Sequence, residues 1–148
     1  MLNNTHTVPR ILVVEENPLL RQLVQTMIHI LGAKAICTNQ ASDALDAFQQ
    51  GVDIVILDLG LPQISSFDLT RQLRAHETSG KRTPIIGHAT VANPEEVELL
   101  CISVEIDELV PKLTSVEEMF LLLSKWLKRP FVMPIYLLDV YIPPVVAE

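Results

Sequence analysis

The 148-residue chain has little of several features that mark specialised classes of protein. It holds only two cysteines, Cys37 and Cys101, which lie far apart in apolar segments, and we interpret them as buried, reduced thiols. No run of about 18 apolar residues is free of proline and charge, so no transmembrane helix and no membrane partner are predicted. Residues 1–9 are polar and lack the apolar region of a signal peptide, so we expect a cytoplasmic protein.

Positive charge is also scarce. Eleven Lys and Arg residues face eighteen Asp and Glu residues, which gives a net charge of -7 and a pI of about 5.0. This balance argues against nucleic acid as the main partner. The four histidines show no spacing typical of a metal site. The whole chain is 49% hydrophobic and 20% charged, and this composition and its length suit one globular domain.

Short β-branched runs alternate with longer helical patterns along most of the chain. Five strands are predicted, at residues 11–14, 33–38, 54–57, 84–88 and 106–110. The helices between them begin at capping signals, such as Asn17 followed by Pro18 in the first helix and Thr114 paired with Glu117 in the last. Strict alternation predicts a parallel sheet with helices on both faces, because right-handed crossovers dominate.

Charged side chains follow three of these strands at their carboxyl ends, where open parallel sheets form their sites. Glu15 and Glu16 follow the first strand, Asp58 the third and Lys112 the fifth. Gathered carboxylate oxygens suit Mg²⁺. A carboxylate beside a cation can attack a phosphoryl group, and a lysine can pair with a phosphoryl oxygen. The alternative is that the two glutamates form a solvated loop and that Asp58 is an ordinary loop residue.

These residues resemble the response regulator receiver domain of two-component and phosphorelay signalling. The resemblance rests on residues 11–18 (ILVVEENP), 55–62 (VILDLGLP), 83–86 (TPII) and 111–112 (PK). The second segment is the most specific, because an aspartate ends an apolar strand and a proline follows four residues later. The resemblance implies a flavodoxin-like α/β fold over residues 10–128, with a five-stranded parallel sheet in the order 2-1-3-4-5. Residues 1–9 are then an N-terminal extension.

The resemblance also implies a chemistry. Asp58 is expected to accept a phosphoryl group from a histidine kinase or a histidine phosphotransfer protein, and Lys112 to contact that group. Mg²⁺ is expected to assist, held by Glu15, Glu16, Asp58 and the backbone carbonyl of Gly60.

Several positions depart from the family pattern. The residues concerned are Glu16 in place of aspartate, Ser66 in place of glycine, Ala89 in place of the switch hydroxyl, Leu109 in place of the switch aromatic, and Leu113 in place of proline. The extra methylene of Glu16 moves its carboxylate by about 1.5 Å, which predicts weak Mg²⁺ binding. Ser66 is expected in a turn that favours positive φ. Thr90 follows Ala89, but a neighbouring position points differently and is not expected to replace the hydroxyl.

Three functions compete. The first is a phosphoacceptor receiver, and the second is a pseudo-receiver that serves as a phosphorylation-independent interaction module, favoured by Glu16 and Ala89. The third is an enzyme on the same fold. A haloacid-dehalogenase-like phosphatase would need an acid where the chain has Gly60, and a flavodoxin a hydroxyl- and glycine-rich loop at residues 15–18. We therefore expect no enzyme.

The end of the chain, residues 129–148, is a proline-containing apolar tail. Its prolines exclude a long regular helix, and it is too short to span a membrane. Three alternatives stay open: docking on its own domain, pairing with a second copy in a homodimer, or the stump of a longer protein such as a hybrid kinase. No DNA-binding or catalytic output domain follows, so any output is expected on another chain.

Overall fold

The computed structural model describes residues 8–61, 65–78, 80–89, 94–112 and 115–127. Within these residues five strands and five helices alternate. In chain order they are β1 (Arg10–Val14), α1 (Pro18–Ile30), β2 (Lys34–Thr38), α2 (Ala41–Gln50), β3 (Ile54–Asp58), α3 (Ser66–Ala75), β4 (Ile85–His88), α4 (Pro94–Ser103), β5 (Glu108–Val110) and α5 (Val116–Trp126). The strands are parallel and lie in the order β2-β1-β3-β4-β5. The predicted fold is confirmed.

The register brings the carboxyl ends of the strands to one edge of the sheet. Val14 of β1 lies opposite Leu57 of β3, Asp58 of β3 lies opposite His88 of β4, and His88 lies opposite Val110 of β5. The residues that directly follow these positions are therefore neighbours in space, although they are far apart in the sequence.

Two apolar cores lie on the two faces of the sheet. Along β1, Ile11 and Val13 contribute to the core beneath α1 and α5, and Leu12 and Val14 contribute to the core beneath α2, α3 and α4. This division follows from the alternation of side chains along a strand. β3 is buried throughout, as its continuous apolar run predicts.

An ion-pair network fixes the amino end of the sheet, opposite the strand ends described above. The carboxylate of Asp107 accepts hydrogen bonds from the Ile85 N–H at 2.8 Å, from Arg74 at 2.8 Å and from Arg82 at 2.7 Å. Burial raises the pKa of Asp107, but these three donors outweigh it and the pKa lies below its ordinary value. Arg74 is itself nearly buried and also pairs with Glu77. The network joins α3, β4 and the start of β5.

The end of α5 adds a second polar contact at the same end of the sheet. The indole N–H of Trp126 donates to the carboxylate of Glu108 in β5. Lys125 binds the same carboxylate at 2.9 Å, and its Nζ lies 5.6 Å from the centre of the Trp126 ring. These contacts hold the last turn of α5 against the edge strand.

Of the two predicted helix caps, the structure confirms that of α1 and differs at that of α5. Asn17 caps α1 as predicted, because its side chain accepts from the N–H groups of Leu19 and Leu20. The predicted capping box at Thr114 and Glu117 is wrong. The capping residue of α5 is Ser115, whose hydroxyl oxygen accepts from the Glu118 N–H at 3.1 Å, and Thr114 lies outside the described residues.

The helices are short. The longest, α1, has 13 residues, and within the described part of the chain no helix is long and apolar enough to cross a membrane. Most are amphipathic, but α4 exposes 70% of Leu99 and 67% of Ile102 while burying Cys101. The outer side of α4 is therefore unusually apolar.

Candidate functional site

Asp58 ends β3 and is nearly buried, with 6% of its surface exposed. Its carboxylate is held by backbone donors on two sides. Oδ1 accepts from the Gly60 N–H at 2.8 Å, and Oδ2 accepts from the Glu16 N–H at 3.3 Å. The loops after β1 and β3 therefore fix the direction in which this carboxylate points.

Lys112 joins two of the predicted carboxylates. Its Nζ lies 2.7 Å from Oε2 of Glu15 and 3.1 Å from Oδ1 of Asp58. The Glu15 side chain is 2% exposed and that of Lys112 is 19% exposed, so the pair is largely shielded from water. The structure thus brings Glu15, Asp58 and Lys112 together, as their positions after β1, β3 and β5 predict.

The carboxyl group of Glu15 is held in its charged form. Burial raises its pKa, but the interactions with His88 and Lys112 and the Asn17 N–H outweigh burial. The pKa of Glu15 therefore lies below the ordinary value of 4.5. His88 is the last residue of the predicted fourth strand and of β4, and it is fully buried, with Nδ1 at 3.8 Å from Oε2 of Glu15.

Glu16 differs from its neighbour because its side chain is exposed. Only its backbone N–H contacts Asp58. Among the described residues, no three His, Cys, Asp or Glu side chains are grouped closely enough to hold a metal ion. The donor types fit Mg²⁺, because Asp58, Glu16 and the Gly60 carbonyl offer only hard oxygens at one edge of the sheet and Mg²⁺ keeps several waters. The predicted ligand set stays a prediction.

Two side chains support the site through contacts that no sequence motif predicted. Arg21 donates from Nη1 to the backbone carbonyl of Glu15 at 2.9 Å and to that of Glu16 at 3.4 Å, which holds the acidic loop against α1. Ser66 donates from its hydroxyl to the backbone carbonyl of Asp58 at 2.6 Å. The spacing of Arg21, one helical turn after Asn17, is the one signal that could have indicated its contact.

The expectation for Ser66 is wrong. Ser66 is the first residue of α3 and has ordinary helical geometry, and Glu105 is the one non-glycine residue with positive φ in the described part of the chain. The position therefore imposes no strain on serine.

Apolar side chains, those of Ala89 and Leu109, occupy the two positions of the family's switch. Ala89 is buried, and its N–H donates to the Val110 carbonyl at 3.2 Å. Leu109 is half-buried over Gly87, where an added β-carbon would lie 3.4 Å from Leu109 Cδ1 and 3.1 Å from Leu59 Cδ1. Two other positions singled out in the sequence, residues 90 and 113, lie outside the described residues.

A family model described as the response regulator receiver domain matches residues 11–124. The chain belongs to this family. The match contains every predicted site residue, and the receiver-domain identity inferred from the four sequence segments is confirmed.

Relatives with curated names are much longer than this chain. The sensory/regulatory protein RpfC of Xanthomonas campestris pv. campestris is 33% identical over 90 residues, which are 60% of this chain and 12% of RpfC. The autoinducer 1 sensor kinase/phosphatase LuxN of Vibrio campbellii is 25% identical over 122 residues, which are 82% of this chain and 14% of LuxN. The receiver domain thus spans only 12–14% of the length of these relatives.

Solved structures agree with the fold. The chemotaxis protein CheY4 of Vibrio cholerae superimposes with a TM-score of 0.73 at 22% identity, covering 81% of this chain and 99% of CheY4. The receiver domain of sensor histidine kinase PA1611 from Pseudomonas aeruginosa, which has a magnesium ion in its active-site cleft, gives a TM-score of 0.69 at 24% identity, covering 80% and 97%. At these identities the likeness establishes the fold.

Proposed function

We propose that this receiver domain accepts a phosphoryl group on Asp58 from a histidine kinase or a histidine phosphotransfer protein, and that it acts by protein contact rather than as an enzyme. The observation that carries the proposal is the Asp58 carboxylate, oriented by two backbone N–H groups with the Lys112 ammonium at 3.1 Å. A carboxylate oxygen attacks the phosphorus, and the bond from phosphorus to the donor nitrogen breaks. Lys112 offsets the negative charge carried by the transferred group.

Charge is the main obstacle to this transfer, because Glu15, Glu16 and Asp58 repel an incoming anion. Lys112 offsets part of this charge, but it is already shared between Glu15 and Asp58. Asp58, the Glu16 side chain and the Gly60 carbonyl would hold Mg²⁺, while Glu15 is paired with Lys112, and the ion would supply further positive charge. The magnesium seen in the PA1611 receiver domain supports this assignment.

The test of the proposal is direct labelling. The protein is incubated with a small phosphodonor and Mg²⁺, and the adduct is tested for stability in acid and lability to hydroxylamine, as expected for an acyl phosphate. An adduct mapped by peptide mass to Asp58 supports the proposal. A protein that stays unlabelled while a known receiver domain is labelled in parallel contradicts it.

The length of the Glu16 side chain is expected to limit metal affinity. Glu16→Asp should lower the Kd for Mg²⁺ by roughly threefold to tenfold, because the shorter carboxylate fits the strict geometry of the ion. Isothermal titration calorimetry measures the change. Glu117→Asp is the matched control, since Glu117 is also exposed but lies in the first turn of α5. Weaker binding by Glu16→Asp would show that the glutamate is the adapted ligand.

The relatives support the proposed phosphoryl donor. Several of them are named as sensor kinases, which supports a histidine kinase or phosphotransfer protein as the donor. We propose a cytoplasmic receiver domain at residues 10–128, preceded by an extension. The tail at residues 129–148 and its docking or homodimer alternatives lie outside the described residues.

A second candidate function is a pseudo-receiver whose interaction surface is independent of phosphate. The observation that favours it is the packing of Leu109 and Leu59 over Gly87, beside an Ala89 that has no hydroxyl. This apolar contact leaves no polar group that a phosphoryl oxygen could draw inward at these positions.

The second candidate is tested by the response of the surface formed by α4, β5 and α5 to a phosphoryl mimic. We expect amide hydrogen exchange on this surface to change less than twofold when a phosphoryl mimic such as beryllofluoride binds with Mg²⁺, because Ala89 has no hydroxyl and Leu109 is not aromatic. Exchange at Gly60, which contacts Asp58, serves as the internal control and should slow clearly. A change on the α4–β5–α5 surface as large as that at Gly60 would reveal a different switch.

A further inference from the structure

Ser66 ties the start of α3 to the backbone of Asp58. It is the first residue of the helix and is 2% exposed, and its hydroxyl donates to the Asp58 carbonyl at 2.6 Å across eight residues. This length is at the short end of the range for bonds between oxygen atoms. The Ser66 carbonyl in turn accepts from the Thr70 hydroxyl at 2.8 Å, and Thr70 is fully buried. Two buried hydroxyls thus connect the first turn of α3 to the residue at the end of β3.

The hydrogen bond between Ser66 and Asp58 lies where the hydrogen-bond ladder between β3 and β4 ends. The N–H of Leu59 still pairs with the His88 carbonyl at 3.2 Å, but the Asp58 carbonyl is bound by the Ser66 hydroxyl. The Asp58 side chain is fixed by the same connection, because Gly60 donates to Oδ1 at 2.8 Å. Main chain and side chain of Asp58 are therefore held by two different residues, the carbonyl by Ser66 at the start of α3 and the carboxylate by Gly60.

We propose that Ser66 is a positioning residue for the phosphoryl-accepting carboxylate. Its hydroxyl holds the Asp58 backbone in the place where the Gly60 N–H orients the carboxylate, beside the Gly60 carbonyl that would be a ligand of Mg²⁺. This inference rests on the proposed function of Asp58 and adds a residue to it. A glycine, which the family pattern has at this position, has no hydroxyl and could not make this contact.

The positioning role is separable from the start of the helix. Ser65, not Ser66, is the N-cap of α3, and its exposed hydroxyl oxygen accepts from the Asp68 N–H at 3.5 Å. Ser65 makes no contact with Asp58 among the hydrogen bonds of the described residues. The two adjacent serines therefore form a matched pair, one capping the helix and one contacting the site.

The experiment compares Ser66→Ala with Ser65→Ala and the unchanged protein. In Ser66→Ala the amide of Gly60 is expected to exchange roughly fivefold faster without any metal, as when one ordinary hydrogen bond is lost. The labelling rate constant at saturating phosphodonor and Mg²⁺ should fall by a similar factor of about five. Ser65→Ala should leave both quantities within about twofold of the unchanged protein, even if its melting temperature falls.

Ser66→Thr keeps a hydroxyl at the same position and should retain the slow exchange of Gly60 and most of the labelling rate. Ser66→Ala with unchanged Gly60 exchange and unchanged labelling would overturn the proposal. Equal losses in the two alanine variants would also overturn it, because they would show a general effect of the helix start. Absence of labelling in the unchanged protein refutes the role of Asp58 instead, and Gly60 exchange still reports on Ser66.

Discussion

An Asp58→Asn protein is expected to take up no phosphoryl label from a small phosphodonor and Mg²⁺ under conditions that label the unchanged protein. The amide of asparagine is not a nucleophile towards phosphorus, whereas its oxygen can still accept the Gly60 N–H bond now made at 2.8 Å to Oδ1. The substitution therefore removes the chemistry and keeps the shape of the site. Phosphate incorporation followed by mass spectrometry measures the result.

The matched control for this substitution is Asp46→Asn. Asp46 is exposed in the middle of α2, and Asp46→Asn removes the same single negative charge as Asp58→Asn. Its labelling should equal that of the unchanged protein. If Asp58→Asn keeps its label, the acceptor is a different residue and the role assigned to Asp58 is wrong.

Lys112→Met is expected to lower the free energy of unfolding by about 2–3 kcal/mol at pH 7. The Lys112 ammonium is the cation shared by Glu15 at 2.7 Å and Asp58 at 3.1 Å. Without it, the buried Glu15 charge loses its closest partner, and removal of one partner from a shielded pair costs more than the pair contributes. Urea unfolding followed by circular dichroism gives the difference. Lys125→Met is the control, because Lys125 is 60% exposed and should cost about 0.5 kcal/mol or less.

The pH dependence identifies the cause. The pKa of Glu15 lies below its ordinary value of 4.5, so its contribution to stability is present above that value and is lost as the pH falls through the folded-state pKa. In Lys112→Met, burial dominates and the pKa of Glu15 rises. The deficit of the variant should therefore be present at pH 7 and should close only as the pH falls through the lowered folded-state pKa of Glu15 in the unchanged protein, because Glu15 is then protonated in both proteins. A deficit that stays constant would mean that Lys112 stabilises by packing rather than by charge.

The sequence predicts most of this fold because its signals are periodic. The apolar run of β3 and the Asn17–Pro18 start of α1 are local patterns, and the structure places both as predicted. The predicted start of β5 is wrong, because an apolar residue there belongs to the end of the preceding helix. Ile106 was predicted to begin β5, but its N–H binds the Cys101 carbonyl, so it closes the end of α4, and the strand begins at Glu108.

The site was predictable to the extent that strand ends determine it. Glu15, Asp58 and Lys112 lie at the carboxyl ends of three strands and meet through their side chains. Arg21 and Ser66 were not predictable in the same way, because each binds a backbone carbonyl, and every residue carries one. Their partners depend on the path of the chain rather than on a residue type, so the residue types alone do not indicate these contacts.

Trp126 has a practical consequence for spectroscopy. It is the one tryptophan of the chain, and it lies beside Lys125 and Glu108 near the amino end of the sheet, while Asp58 lies at the carboxyl end. Its ultraviolet emission should therefore follow global unfolding, since loss of the Glu108 contact exposes the indole to water. Events confined to the Asp58 end should leave the emission unchanged. A shift of the emission maximum during labelling of Asp58 would therefore show that labelling changes the conformation at the opposite end of the sheet.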